Sequence, residues 1–374
     1  MQKINPIHLA ETAKRVLVAP LDWGLGHTTR CIPIIKELEK QGCAIWLAGN
    51  EVQEVLLKKE FPHLLFLPLR GYNVSYAKTS IGLVFKLFAQ LPSIAKIIRY
   101  ENEWLNKKVK ELELDAVIAD NRYGLFHSTI PCIFITHQLQ IKTAWGKWSE
   151  RMIQKWNYHF IHQYRVCWIP DYAGHENLAG ELSHPQLLPD IPVKYLGPVS
   201  RFEKTKKEIT NDLLIILSGP EPQRTILEKI ILNQLKTINR KTVLVRGLPV
   251  EKKILENEGL IEFHNHLASE ELNELIEKSS WIISRCGYST VMDLMKLQKK
   301  TILIPTPGQT EQEYLARHLG KNKMAFTMMQ KNFDLQTALN MADKFPYQFP
   351  TESGNVLKAR VAEFLMSLHV NEPE

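Results

Sequence analysis

Short β-branched runs alternate with amphipathic stretches along the first 140 residues, and this order constrains the fold more than any other feature. "RVLVA" (15–19) precedes a segment, 28–40, with Ile32, Ile35 and Leu38 at helical spacing. "CAIWLA" (43–48), "HLLFLP" (63–68), "DAVIAD" (115–120) and "PCIFITH" (131–137) read as further strands, with "EVQEVLLKKEF" as a helix after the second. Continuous apolar strands separated by helices predict a parallel sheet covered on both faces. In such sheets ligands lie beyond the carboxyl ends of the strands.

A chain of 374 residues exceeds one ordinary core, since domains run to roughly 150–200 residues. The polar stretch "LGPVSRFEKTKKEITND" (196–212) has no apolar periodicity and reads as a linker. After it the alternation restarts. "LLIILSGP" (213–220) is a strand entering a Ser-Gly turn, "EPQRTILEKIILNQL" a helix, "KTVLVRG" (241–247) and "LIEFHNHL" (260–267) strands, and "SEELNELIEKSS" a helix. Residues 281–320 read as strand, glycine turn, helix, strand, proline loop and helix. The expectation is an α/β protein of two doubly wound, Rossmann-like domains facing a cleft. The first covers 1–198, the linker 199–212, the second 213–350, and a terminal helix and tail 351–374.

The stretch after the first strand, "PLDWGLGHTTR" (20–30), crowds two glycines and a histidine against a helix start. Gly24 and Gly26 allow a sharp turn and a close backbone approach. The helix behind them presents free N–H groups and a positive dipole end. His27 stands there with an imidazole suited to taking a proton near neutral pH, or it caps a tight turn. "GLGHTT" lacks the third glycine of a dinucleotide-binding turn. Asp120 and His137 also fall at carboxyl ends of strands, as orienting groups, acceptor ligands or loop residues.

These features together resemble the GT-B glycosyltransferases: two tandem domains, the glycine–histidine turn, and "SRCGYSTVMDL" followed by "PTPGQTEQEYLA". The nearest likeness is to glycosyltransferase family 28, the MurG-like enzymes. The resemblance spans most of the chain and is strongest at 20–38 and 281–316. It implies a nucleotide-sugar donor in the second domain, an acceptor in the first, and transfer in the cleft with inversion. Gly287, Tyr288, Ser289 and Thr290 match the glycine turn that holds the diphosphate. Asp293 matches the acid on the ribose hydroxyls. Gln312 and Glu313 match a polar pair on the donor sugar, with Glu in place of the second amide. Ser218 and Gly219 resemble the first phosphate turn, Arg246 ends a strand facing the same cleft as a phosphate partner or a surface arginine, and Phe263 and His264 lie where the family's backbone reads the base. His27 matches the family histidine, and Gly24 and Gly26 its glycine loop, here "DWGLGH" with Asp22 and Trp23 replacing glycines. A nucleotide-sugar hydrolase or epimerase, or a binding protein that keeps the pocket, fits the same pattern.

No cofactor beyond the nucleotide sugar is expected, and no metal, because the acids do not cluster at ligand spacing. The net charge of +7, from 47 basic and 40 acidic residues, suits an anionic ligand or acidic lipid and equally suits solubility. The five cysteines, Cys31, Cys43, Cys132, Cys167 and Cys286, follow neither a disulfide nor a zinc pattern. With no apolar signal core in "MQKINPIHLAETAKR" and no apolar run near about 18 residues, a cytoplasmic protein is expected. Residues 142–168, "KTAWGKWSERMIQKWNYHFIHQYRVCW", mix tryptophans with lysine and arginine as an interfacial helix does. Residues 80–100 form a second apolar, basic stretch. The expected partners are thus a nucleotide sugar, a lipid-linked or glycan acceptor and an anionic membrane surface, or, for the two stretches, simply the protein core. No RNA-binding signature accompanies them, so nucleic acid is not expected.

Overall fold

The computed structural model describes residues 13–22, 24–72, 80–143, 145–205, 207–351 and 354–369. The first half runs β1 (Arg15–Pro20), α1 (Leu25–Lys40), β2 (Ala44–Gly49), α2 (Glu51–Glu60), β3 (Leu65–Pro68), α3 (Ser80–Leu112), β4 (Ala116–Asp120), β5 (Cys132–Ile135), α4 (Lys147–Ile161), β6 (Val166–Ile169) and β7 (Val193–Tyr195). Among the described residues its seven strands are all parallel, in the order β3-β2-β1-β4-β5-β6-β7. The strand order reverses between β1 and β4, whose last residues, Pro20 and Asp120, are paired in register. The loops after these two strands therefore leave in opposite directions and open a crevice between them.

The second half runs β8 (Asn211–Ile216), α5 (Gln223–Leu235), β9 (Thr242–Val245), β10 (Ile261–His264), α6 (Ser269–Glu277), β11 (Ser279–Arg285), α7 (Tyr288–Lys296), β12 (Thr301–Ile304), α8 (Thr310–Lys321), β13 (Phe326–Thr327), α9 (Leu335–Asp343) and α10 (Val356–His369). Its parallel sheet has the order β10-β9-β8-β11-β12-β13, with the reversal between β8 and β11. The strands bury Leu213, Ile215, Leu244, Ile283 and Ile302 against α5 and α9 on one face. They bury Leu214, Val243, Ile282 and Leu303 on the other, facing α6, α7 and α8. Apolar residues on both faces are what a fully covered parallel sheet requires.

Two features depart from the expected organisation. The aromatic run 142–168 is not one helix. It contains α4 and then β6, and Trp168 on β6 is buried edge-to-face against Phe364 of α10. The terminal helix packs against the first domain rather than standing apart. α10 contacts α1, Gln41 Nε2 donates to the Lys358 carbonyl, and Lys194 pairs with Glu363 at 2.9 Å. The chain thus crosses between domains twice, and one apolar cluster joins Ile32 and Ile35 of α1, Val291 and Met295 of α7 and Leu368 of α10.

Candidate active site

Both reversals of strand order meet across the domain boundary. Gly24, at φ 83°, lies in the left-handed region that favours glycine and starts α1. Gly26 lies close to the second domain: Ser289 Oγ donates to its carbonyl at 2.8 Å, and a Cβ on Gly26 would sit 2.8 Å from that hydroxyl and displace it. The turn after β1 and the start of α7 are therefore in backbone-close contact. Asp22 accepts from Tyr72 N at 3.0 Å, which ties the same turn to the loop beyond β3. Trp23 lies outside the described residues.

His27 occupies the first turn of α1, and its Nδ1 lies 3.1 Å from Asp120 Oδ1 at the end of β4. Asp120 is fully buried. Burial alone would raise its pKa, but Arg30 and His27 outweigh that and hold the carboxyl well below the usual range. Arg30 supplies a two-pronged contact, Nε to Oδ2 at 2.6 Å and Nη2 to Oδ1. For His27, burial and then the Arg30 charge lower the pKa, opposed by Asp120. Burial and Arg30 thus favour the neutral imidazole, the state a proton acceptor needs. His137 follows β5, with Nδ1 3.0 Å from Arg30 Nη1 and Nε2 2.8 Å from Glu311 Oε1 on α8 of the second domain. Its ring stacks on Tyr288 at 4.1 Å and 5°.

In the second domain, Ser218 and Gly219 follow β8, while Gly287, Ser289 and Thr290 begin the turn and helix after β11. The sheet order brings these two turns together. Thr306, after β12, closes over them, its Oγ1 3.7 Å from where a Cβ on Gly219 would lie. Tyr288 turns its side chain away from this crevice and donates to the Pro170 carbonyl at 2.8 Å. Asp293 is buried and accepts from Ser200 Oγ at 2.6 Å, with Arg201 Nε 4.0 Å away. Burial raises its pKa to about 6, only partly offset by Arg201 and Ser200. Gln312 Oε1 accepts from Thr306 N at 2.9 Å and Glu313 Oε1 from Gly308 N at 3.0 Å, so both brace the loop after β12. Arg246 is held by Glu228 at 2.6 Å and Asn265 at 3.0 Å. The Phe263 ring belongs to the core, its N donates to Asn257 Oδ1, and His264 pairs with Glu262 at 2.7 Å. The structure thus gathers His27, Asp120, His137, Gly26, Tyr288 and Ser289. Arg246, Phe263 and His264 are engaged by neighbours along β9 and β10.

Five further residues belong to this region. Arg30 lies one helical turn after His27, a signal visible in the i,i+3 spacing. Glu311 immediately precedes Gln312. Arg285 ends β11, 1% exposed; its donors reach only the carbonyls of Gln223, at 2.6 Å, and Pro305, at 3.4 Å, and its Nε has no partner among the described residues. Burial lowers its pKa to about 10. Thr306 Oγ1 and Ser284 Oγ are likewise buried without a partner. No group of three or more His, Cys, Asp or Glu side chains among the described residues has a metal-holding arrangement.

Residues 227–363 match the glycosyltransferase family 28 C-terminal domain. No curated protein shows significant similarity to the chain. Among solved structures, a glycosyltransferase of kitacinnamycin aligns with TM-score 0.61 and 13% identity over 96% of each chain. Acinetobacter baumannii MurG aligns with TM-score 0.52 and 15% identity over 95% of this chain and 99% of its own. The glycosyltransferase VinC, in complex with dTDP, aligns with TM-score 0.55 and 10% identity over 96% of each. Their breadth makes the fold of the whole chain GT-B.

Proposed function

We propose that this glycosyltransferase, with its GT-B fold and family 28 second domain, transfers a sugar from a nucleoside diphosphate to a hydroxyl acceptor with inversion and without a metal. The observation that carries the reading is His27 Nδ1 3.1 Å from Asp120 Oδ1, on the residue next to Gly26, whose carbonyl Ser289 of α7 contacts. His27 takes the acceptor hydroxyl proton as that oxygen attacks the anomeric carbon. The bond from the sugar to the diphosphate breaks in the same step, and the pair of electrons leaves on the phosphate oxygen. The α7 amides and the buried Arg285 charge favour that leaving group. The dTDP complex of VinC supports a nucleoside diphosphate as ligand; its place in the second domain and uridine as the base rest on the family 28 likeness. Asp293, Gln312 and Glu313 are assigned to ribose and sugar.

The acceptor is assigned to a lipid-linked or glycan molecule met at an anionic membrane surface. Trp148, Met152 and Trp156 are 72, 53 and 38% exposed at four-residue spacing on α4, Trp145 just before the helix is 44% exposed, and Lys147, Arg151 and Lys155 lie beside them. This is the composition of a surface that rests on lipid. Among the described residues no helix is long and apolar enough to cross a membrane.

A thermal-shift series with uridine, guanosine and thymidine diphosphates tests the donor. A ligand at 100 times its Kd raises stability by about 2.7 kcal/mol. Uridine diphosphate should give the largest rise, and no rise with any diphosphate would sink the reading. Free sugar released from the donor at full rate without acceptor would assign hydrolysis instead of transfer.

A further inference from the structure

The backbone that carries His27 leaves β1 at Pro20 and enters α1 at Leu25. Within this turn Gly24 N donates to the Asp22 carbonyl at 3.0 Å. The carbonyls of Pro20 and Leu21 are taken instead by a side chain from another element. Gln53 Nε2, on α2, donates to both at 3.0 Å. The same nitrogen lies 3.4 Å from the hydroxyl of Thr28, the residue after His27. One amide, on a side chain 3% exposed, therefore touches the turn where it begins and where it ends. Arg122 Nε adds a second donor to the Pro20 carbonyl at 2.7 Å. Pro20 is also the residue paired in register with Asp120. The positions of His27 and Asp120 thus refer to one held point of the backbone.

The choice of glutamine is informative. Gln53 closes a capping box at the start of α2: its N donates to Asn50 Oδ1 at 3.1 Å, and its Oε1 accepts from Asn50 N at 3.0 Å. Gly49 leaves room for this, since a Cβ there would lie 2.5 Å from Gln53 Oε1. Capping needs only an acceptor at this position, which Glu supplies as well as Gln. Two buried carbonyls need N–H donors, which a carboxylate lacks. The cap fixes the amide oxygen on Asn50 and leaves the NH2 group aimed at the turn.

We propose that Gln53 is a positioning residue: its amide, by binding the Pro20 and Leu21 carbonyls, fixes the turn between β1 and α1 and with it the place of His27 against Asp120. The consequence for turnover rests on the reading of His27 as the base. A proton acceptor displaced by about 1 Å loses up to about 100-fold in rate.

Gln53→Glu separates the two tasks of this side chain, because it keeps the cap and removes the donors. Hydrogen–deuterium exchange of the full chain, read by peptide, should speed up over residues 20–30 and stay as in wild type over 51–60. Gln53→Met, close in shape and uncharged, should speed up both. For a uridine diphosphate sugar, kcat of Gln53→Glu should fall about 10- to 100-fold, with uridine diphosphate affinity by calorimetry within about twofold. Burial raises the pKa of a carboxyl. The deficit relative to wild type should therefore shrink as pH falls, when the protonated acid donates again to a carbonyl. Wild-type exchange over 20–30 in both variants overturns the proposal, and Gln53→Met alone decides this if Gln53→Glu does not fold. Equal losses of kcat, nucleotide affinity and protection over 51–60 also overturn it, since Gln53 would then only support α2. Full turnover in His27→Ala removes the base assignment instead, and the exchange over 20–30 then judges Gln53 by itself.

Discussion

The two crevices of this molecule are built from the same topology and filled in opposite ways. At the first reversal, between β1 and β4, every charge has a partner: Asp120 with Arg30 and His27, Arg30 with His137, and behind them Arg122 with Glu101 at 2.8 Å. At the second, between β8 and β11, the buried polar groups are short of partners: Arg285 Nε, Thr306 Oγ1 and Ser284 Oγ. Buried polar atoms in folded proteins are almost always satisfied. A closed network fixes protonation states and geometry before substrate arrives, which suits proton transfer. A cradle of unpaired donors around backbone amides suits an anion that brings its own acceptors.

The sharpest way to break this contrast is His27→Ala. If the first crevice performs chemistry and the second binds, turnover should fall by about 10²–10⁴ while nucleoside diphosphate affinity and melting barely change. Equal losses in turnover and nucleotide binding would make the two crevices one undivided site.

The arginines should also separate, by stability. Arg30→Met leaves the Asp120 carboxylate buried without its main partner, and loss of one member of a buried pair costs about 3–5 kcal/mol. Arg285→Met orphans only two carbonyls and should cost about 1–2 kcal/mol, with weaker diphosphate binding as its main effect. Urea melts of both variants compare them directly; a larger loss for Arg285→Met inverts the argument.

Much of this was legible before any coordinates, and the limits follow the same division. A glycine turn after a β-branched run marks the carboxyl end of a parallel strand, so "PLDWGLGH" and "SRCGYST" locate both crevices, and strand-end polar residues point to Asp120 and His137. Arg30 and Glu311 carry no such local signal, because a charged residue in a helix ordinarily reads as solvated. Their partners, which bury Arg30 and hold Glu311 half-buried, come from elements about 90 and 174 residues away in sequence. Trp168 was misplaced because its strand is short and continues an aromatic helix. That α10 returns to the first domain is a matter of tertiary packing that local periodicity does not encode.

The two buried aspartates sharpen the comparison through pH. Asp120 has its carboxyl held down by Arg30 and His27 against burial, so its ionisation stabilises the fold, and that contribution is lost as pH falls toward its lowered value. Asp293 is the reverse: burial raises it to about 6 from 3.8. Its contribution is fully present below about 3.8 and is lost as pH rises through about 6, because the unfolded chain releases that proton first. The shift of roughly two units corresponds to at most about 3 kcal/mol. Asp293→Asn should therefore gain stability relative to wild type above pH 6 and gain nothing near pH 4. A constant difference across that range would mean that Asp293 is ionised throughout, and the stated pairing with Ser200 and Arg201 would be stronger than its burial.

The smallest effect on folding is expected at the exposed face of α4, where a buried aromatic and an exposed one part company. Trp168 fills the core beside Phe364, and truncating it should cost about 3–5 kcal/mol, as for other large buried aromatics. Trp148, on the same aromatic run but 72% exposed, should change stability by less than about 0.5 kcal/mol when replaced by Ser. Its effect should appear on lipid instead. Wild-type chain should sediment with vesicles containing phosphatidylserine at low salt and detach as salt rises, since each basic residue near the surface contributes about 1 kcal/mol and is screened within a Debye length. Trp148→Ser should weaken that binding at every salt concentration, because it removes apolar insertion rather than charge. Replacing Lys147, Arg151 and Lys155 together by Gln should weaken it chiefly at low salt and flatten the salt dependence. Should the wild-type chain stay in the supernatant at low salt, the exposed tryptophans are not a lipid surface, and the acceptor must be sought among soluble glycans.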